Sequence, residues 1–447
     1  MIQLRETSFL FRSASGLWLA GILGLSVGSA ESRAAEASLA QDADLAACLE
    51  YAVNNNAGLK AAHAKWREAV ERIPEARGLP DPRLSYGYFV RSVETRVGPQ
   101  RHKLGVAQTL PWFGKRRLRG EIAGSGAQAL FEAAAAEKWK LFHRVRHTWH
   151  ELAYLRRAIE ITENNLRLLQ DLEAVAQTKV QGGGGLSGVA AAQLELGRLE
   201  DRKQTLLDLR RPLTARFNAA LGRSVDSEAP WPGSDDVSAR EVDEARLFEW
   251  LAEFNPELRG LEQETVSRRK RVELARKNKR PDLTLGVDYT QTDRRGLAGL
   301  GDDGKDPLMA MISINVPLWR KKEEAAIRAA EARRGAVEAA RADRERLLKA
   351  DLTLALHRFR DAERKMDLYR DTLAPLAEQS LSVAQQSWEA GRAEFLNVID
   401  AERQLLEFRL LLARARADRE QCLSEIEMLV GRALPPSAKG QAAKAQE

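Results

Sequence analysis

The sequence has few aromatic residues, few cysteines and no apolar segment long enough to cross a membrane as a helix. Phe, Trp and Tyr make up 6% of the 447 residues, and the cysteines are Cys48 and Cys422. Two cysteines cannot hold a disulfide scaffold, although the sequence leaves a Cys48–Cys422 bond open. A membrane-spanning helix needs ~20 apolar residues in a row. The sequence therefore excludes a disulfide-rich domain and a helical membrane protein.

The sequence also lacks a strong charge of one sign. Its 70 Lys and Arg residues and 64 Asp and Glu residues leave a net charge of +6. The charges alternate along helical stretches, which is typical of solvated helix faces. Nucleic-acid binding requires a clustered basic patch, and none is present, so we predict no nucleic-acid partner. The abundance of Ala, Leu, Glu and Arg is typical of long helices.

The N-terminus has the pattern of an export signal. Arg5 and Arg12 precede an apolar run at 16–27, and small residues follow at 28–30. We therefore predict a signal peptide over residues 1–30 and an exported chain. Several charged residues separate Cys48 from the apolar run, so we interpret Cys48 as a helix residue rather than a lipidated cysteine.

The mature chain contains two copies of one unit. When the segment from Asn54 is aligned with the segment from Glu253, Leu84 matches Leu283 and Gly87 matches Gly286. An internal repeat of this kind indicates a duplicated architecture. The predicted parts are a first repeat at 31–221, a linker at 222–240, a second repeat at 241–431 and a flexible tail at 432–447.

Each unit shows the same order of elements: a helix, two alternating stretches and a long helical hairpin. Proline should kink or interrupt the helices at Pro212 and Pro375, and glycine marks the hairpin tips. The predicted strands lie near 83–91, 102–110, 282–291 and 307–316. The predicted tips lie near 182–188 and 391–396.

The alternating stretches resemble membrane strands. In "LMAMISINV" the residues Leu308, Ile312 and Val316 share one face, and the face opposite carries Ser313 and Asn315. One apolar face over ~9–11 residues is typical of outer-membrane barrel strands. Four strands cannot close a barrel, and open edges cannot face lipid. Two copies would give ~8 strands with a filled interior and three would give ~12 with a lumen, which favours a homotrimer.

Three motifs resemble the outer-membrane efflux protein family, also called the TolC family. They are "LPWFGKRRLRGEIA", "VPLWRKKEEAAI" and "AGRAEFLNVIDAERQLL". The resemblance covers essentially the whole mature chain. It implies a mainly α protomer with a small β part, which trimerises into a 12-stranded β-barrel on a periplasmic α-helical tunnel. It further implies the outer membrane of a Gram-negative-type bacterium, with most of the mass in the periplasm, a periplasmic adaptor and an inner-membrane pump.

The resemblance also assigns roles to particular residues. It places Asp400 at the pore aperture, with Asn397 where the family pattern has a second acidic residue. It places the adaptor-docking tips at Gly182, Leu186, Ser187, Gly391 and Phe395. Our interpretation of the repeated strand-to-helix junction puts Trp112, Phe113 and Trp319 in an aromatic girdle at the lipid head groups. The cations that follow, Lys115–Arg117 and Arg320–Lys322, should meet head groups or solvent.

The expected function is a passive exit duct of a tripartite efflux pump or a type I secretion system. The sequence contains no catalytic motif and no phosphate loop, so we predict no enzyme activity and no cofactor. His143, His147 and His150 share one helical face, and the sequence leaves open whether they bind a metal ion, although we predict none. The alternative is an exported structural or adaptor-like helical coiled-coil protein without a channel.

Overall fold

A computed structural model describes residues 44–181, 187–233, 240, 242–296 and 302–435. The predicted signal peptide, Gly182, Leu186, residues 234–239 of the predicted linker and the tail beyond residue 435 lie outside these ranges. The described part is mainly α with one small antiparallel sheet, which confirms the predicted fold class. No helix in it is both long and apolar enough to cross a membrane.

The two halves of the chain have the same order of elements. The first half contains α1 (Leu45–Asn55), α2 (Ala57–Arg77), β1 (Arg83–Thr95), β2 (Gly98–Leu110), α3 (Lys115–Gln181) and α4 (Ser187–Leu221). The second half contains α5 (Glu244–Phe254), α6 (Pro256–Lys277), β3 (Leu283–Thr292), β4 (Leu308–Ile314), α7 (Arg320–Leu368), a π-helical turn (Tyr369–Leu373), α8 (Ala374–Glu389) and α9 (Phe395–Val430). At 1.5 Å per residue, α3 alone extends about 100 Å.

The proline positions differ in their effect on the helices. Helix α4 continues through Pro212 without interruption. Pro375 follows the π-helical turn, within the first turn of α8. Proline has no N–H group and its ring crowds the preceding turn, so a wider π-turn accommodates it. The expected interruption is therefore present at Pro375 and absent at Pro212.

Each half begins its second helix with an asparagine that makes two bonds. The Oδ1 atom of Asn255 accepts the N–H of Leu258 at 2.9 Å, and its Nδ2 atom donates to the carbonyl of Leu429 at 2.6 Å. Asn56 forms the equivalent pair of bonds in the first half. The same side chain therefore caps one helix and attaches it to the end of the return helix.

The sheet is antiparallel, and its strands follow chain order, β1-β2-β3-β4. One row of the register joins Leu84, Val106, Val287 and Ala310 across all four strands. The first two strands extend beyond the alternating apolar stretches to the turn before Gly98, because backbone pairing continues where the side chains become polar. Among the described residues, β1 and β4 each pair on one side only.

The two faces of the sheet differ in chemistry and in exposure. Leu84 on β1 and Ile312 on β4 are 74% and 73% exposed, and both belong to the apolar face. On the opposite face Gly105 adjoins Asp288, whose carboxylate binds Lys103 at 2.8 Å. The sheet thus presents a broad apolar surface that the described helices leave uncovered.

The core lies between the helices and is divided into three clusters along their length. One cluster joins α3, α4, α8 and α9 up to the hairpin tip, and includes Trp388 and Phe395. A second joins α5, α6, α7 and α9 around Phe359. The third joins α1 to α4 around Phe217. These clusters contain no residue of the sheet, so the sheet is not part of a soluble core.

Candidate functional site

The second hairpin reverses direction between α8 and α9 at Gly391. Gly391 has φ of 72°, a left-handed conformation that favours glycine. Its N–H bonds the carbonyl of Trp388 at 3.0 Å, and the N–H of Arg392 bonds Ser387 at 2.8 Å. These bonds satisfy carbonyl groups at the end of α8, as glycine C-caps do. The turn therefore closes without help from a partner chain.

Phe395 is buried at this tip rather than exposed. Its ring lies 4.7 Å from the ring of Trp388, and both residues are less than 9% exposed. A Cβ atom on Gly188 of α4 would come within 2.9 Å of Phe395, so the first hairpin packs closely against this ring. Phe395 therefore packs between the two hairpins at the tip.

The aperture residues predicted from the sequence lie on the exposed side of α9. Asn397 and Asp400 are both exposed and stand one turn apart. The Asp400 carboxylate accepts one bond from Arg403, at 3.2 Å. An exposed pair of this kind contributes little stability, so the carboxylate remains available to solvent.

A group of charged side chains that sequence reasoning missed lies beside Asp400. Arg403 donates to the Glu195 carboxylate of α4 at 2.8 Å, and Arg198 lies 3.3 Å from the same carboxylate. Glu402, the next residue along α9 from Arg403, is 1% exposed, and neither of its carboxylate oxygens has a hydrogen-bond partner in the described structure. The spacing of Glu402 with Val398, four positions earlier, indicates a place on the core face.

The two glutamates have opposite pKa shifts. The pKa of Glu402 is raised to about 7, mainly by burial and also by the negative charge of Glu195, while the charges of Arg403 and Arg409 oppose the shift. For Glu195, burial acts in the same direction, but the hydrogen bonds and charges of Arg403 and Arg198 outweigh it. The pKa of Glu195 therefore lies below its ordinary value, and this carboxyl stays ionised.

The strand-to-helix junctions contain the second set of predicted residues. Phe113 is 86% exposed and Trp319 is 78% exposed, while Trp112 is 39% exposed and lies edge-on to Phe113. In the sequence, these three residues follow β2 and β4, two strands that carry the exposed apolar face of the sheet. Single exposed apolar side chains are common on soluble proteins, whereas a large contiguous apolar patch marks an interaction or membrane surface.

Lys115 does not meet solvent, contrary to the sequence prediction. It is 2% exposed, and its Nζ atom donates to the Asp282 carboxylate and to the carbonyl of Arg280, each at 2.8 Å. The same carboxylate oxygen accepts the N–H of Trp112 at 2.8 Å. Lys115 therefore fastens the first long helix to the start of β3. Arg116 and Arg117 remain exposed, as do Arg320 to Lys322.

The histidines and cysteines do not form a metal site in the described ranges, which contain no group of three or more His, Cys, Asp or Glu suited to a metal ion. His143 hydrogen-bonds Ser424 at 2.9 Å. Burial and the nearby charges lower the pKa of His143 and of His150 to about 4. Cys48 and Cys422 are free thiols in separate core clusters, so the disulfide that the sequence left open is not formed.

The described chain consists of long helical hairpins that carry a four-stranded sheet with an exposed apolar face. The family model named outer membrane efflux protein matches residues 249–432, most of the second repeat. The fold over nearly the whole chain agrees with this match. Over residues 249–432 the chain matches the outer membrane efflux protein family, the family that its motifs resemble.

The chain is also similar to individual proteins. The cobalt-zinc-cadmium resistance protein CzcC of Cupriavidus metallidurans is 22% identical over 402 residues, which cover 87% of this chain and 90% of CzcC. A membrane protein from Pseudomonas aeruginosa has a TM-score of 0.74 at 17% identity, covering 88% of this chain and 93% of its own. The open-state outer membrane channel MtrE of Neisseria gonorrhoeae has a TM-score of 0.71 at 16% identity, covering 87% and 89%.

Proposed function

We propose that the chain is the outer-membrane exit duct of a tripartite efflux pump or a type I secretion system. The observation that carries this proposal is the exposed apolar face of a sheet with two open edges, at the end of long helices. In water such a face would be an aggregation hazard. In lipid it is stable once the edges are paired.

Three copies of the sheet would form a barrel of ~12 strands, wide enough for a lumen. In this assembly the girdle residues Trp112, Phe113 and Trp319 lie at the head groups of the outer-membrane lipid. The long helices form a periplasmic tunnel, and the hairpin tips meet a periplasmic adaptor and its inner-membrane pump. Because Phe395 is buried, the adaptor contacts the turn around Gly391 and Ser187 rather than this ring.

An exported helical protein without a channel is the less favoured alternative. It would need helices that cover the apolar face of the sheet, and residues such as Leu84 remain uncovered. The two functions differ in a direct assay. A duct is recovered from the outer-membrane fraction as a detergent-stable trimer that conducts ions in planar bilayers. A soluble periplasmic monomer without conductance would overturn the proposal.

Asp400 provides a test at the aperture. Three copies would place one carboxylate per protomer around the pore, and a ring of carboxylates favours cations. We expect Asp400→Ala to reduce the cation preference of the bilayer conductance and its block by divalent cations. Glu253→Ala, at an exposed acidic residue of α5 outside the hairpin tips, is the matched control and should leave both unchanged. Equal cation preference in Asp400→Ala and the unaltered chain would contradict the assignment.

The substrate is a separate question, because one fold serves many cargoes. CzcC is named for resistance to cobalt, zinc and cadmium. These cations are therefore the first substrates to test, by the metal tolerance of cells that lack the chain. Unchanged tolerance would leave the duct proposal intact and direct the search to other cargo.

A further inference from the structure

Glu402 is a buried acidic residue to which the proposed duct gives no role. It lies on α9, two residues beyond Asp400, next to Ala401 of the core cluster at the hairpin tip. It is 1% exposed, and both carboxylate oxygens lack a hydrogen-bond partner in the described ranges. An unpaired carboxylate is among the costliest groups to bury, whereas a neutral carboxyl is far less costly. The protonation state of Glu402 therefore affects the stability of the packing around it.

The cations near Glu402 are bound to other carboxylates. Arg403 donates to Glu195 of α4 at 2.8 Å, and Arg409 donates to Glu378 of α8 at 2.6 Å. The remaining charge that acts on Glu402 is the Glu195 carboxylate itself, which opposes ionisation. Helix α3 packs against the same cluster with apolar side chains. The surroundings of Glu402 therefore favour its neutral form.

We propose that Glu402 is a protonation switch of the hairpin tip. The neutral carboxyl packs between α4 and α9, and release of its proton to water leaves a buried anion beside Glu195, which loosens the contact between the two helices. The loosening of the tip does not depend on the proposed duct. Only its consequence, a pH-dependent opening of the periplasmic end, rests on the proposed function.

The direction of the pH dependence follows from the raised pKa. The pKa of the packed Glu402 is about 7, compared with an ordinary value of 4.5. Below about pH 4.5 both the packed and the loosened tip hold the proton, so the packing keeps its full stability. Between about pH 4.5 and 7 only the packed tip holds it, and its stability falls as the pH rises. Above about pH 7 neither holds it, and the loss is complete.

Amide hydrogen exchange of the full chain in detergent tests the switch, with Glu402→Gln as a mimic of the neutral carboxyl. The exchange rates in Ala190–Leu199 and Phe395–Leu406 are compared between unaltered and variant chains at the same pH, so that chemical exchange cancels. We expect their ratio to rise on the order of tenfold per unit between about pH 5 and 7 and then to level off. A ratio that is independent of pH would overturn the proposal.

Matched variants separate the switch from a general loss of structure. Glu407→Gln removes an exposed carboxylate of the same helix and should exchange as the unaltered chain does. Glu195→Gln removes the opposing charge and frees Arg403 to bind Glu402, so it should weaken the pH response. This variant keeps the proposal testable if Glu402→Gln does not fold. A full response in Glu195→Gln would contradict the proposed surroundings of Glu402.

Bilayer conductance distinguishes failure of the switch from failure of the duct. A conducting trimer with a flat exchange ratio would keep the proposed function and remove the switch. A pH-dependent exchange ratio without conductance at any pH would keep the switch and remove the duct. If the switch and the duct are both correct, the conductance of the unaltered trimer should rise with pH more steeply than that of Glu402→Gln.

Discussion

At the scale of single residues, the side chain of Asn255 caps one helix and bonds to the end of another. Its oxygen accepts the N–H of Leu258 and its nitrogen donates to the carbonyl of Leu429. Both bonds are buried, so water cannot replace either partner. Asn56 repeats the arrangement in the other half, as expected if both descend from one duplicated unit.

We expect Asn255→Ala to lower the free energy of unfolding by about 2 kcal/mol. Loss of an N-cap costs ~1 kcal/mol, and the buried carbonyl of Leu429 loses its donor at a cost of ~1 kcal/mol. Unfolding of the full chain in detergent measures the change. Asn54→Ala, at an exposed position nearby in the first half, should shift stability by less than about 0.5 kcal/mol. Equal effects of the two variants would refute a special role for Asn255.

At the scale of elements, two glycines show how backbone conformation decides the effect of adding a side chain. Gly391 forms the turn between α8 and α9 with positive φ, and Gly335 lies inside the helix α7. A Cβ atom would meet nothing within 4 Å at either position. The difference between them is therefore one of backbone conformation and not of space.

We expect opposite effects from alanine at these two positions. Gly391→Ala should destabilise the tip by about 1 kcal/mol, because a left-handed conformation is unfavourable with a Cβ atom. Gly335→Ala should stabilise α7 by about 0.5–1 kcal/mol, because alanine restricts the unfolded chain and favours helix. Thermal unfolding measures both changes. Destabilisation by both variants would mean that crowding in the assembly, rather than backbone conformation, decides the outcome.

At the scale of the whole molecule, the two faces of the sheet differ in the environment that each would meet in a barrel. Ile312 belongs to the apolar face and is 73% exposed, while the next residue, Ser313, belongs to the polar face. In a barrel the first face meets lipid and the second lines the lumen. In a soluble monomer both residues would face water.

This difference makes a lysine at each position a test of the assembly. We expect Ile312→Lys to cost about 2–4 kcal/mol of membrane stability and to reduce the amount of trimer in the outer membrane. Ser313→Lys should assemble normally, because its charge faces water in the lumen. Trimer recovery from the outer-membrane fraction gives the measurement. Normal recovery of Ile312→Lys would indicate that this face does not contact lipid.

Features that depend on neighbours along the chain could be predicted from the sequence. Alternation of apolar residues indicates strands and a period near 3.6 indicates helices, since both patterns repeat within a few residues. The mainly α fold class follows from such patterns, and the duplication and the three motifs led to the family whose model matches residues 249–432. The polar ends of β1 and β2 were missed because backbone pairing continues there without an apolar pattern.

The sequence by itself thus determined the class of fold and the resemblance to this family. Only the tertiary structure decided that Lys115 is buried and that Glu402 faces an acidic neighbour. Lys115 meets Asp282, 167 positions away, and Arg403 meets Glu195, 208 positions away. The periodicity of residues along the chain carries no information about ion pairs between positions so far apart. The physical reason is that burial and ion pairing depend on how the helices pack. A charged residue that the sequence pattern places in solvent can therefore be buried in an ion pair, as Lys115 is, or buried without a hydrogen-bond partner among the described residues, as Glu402 is.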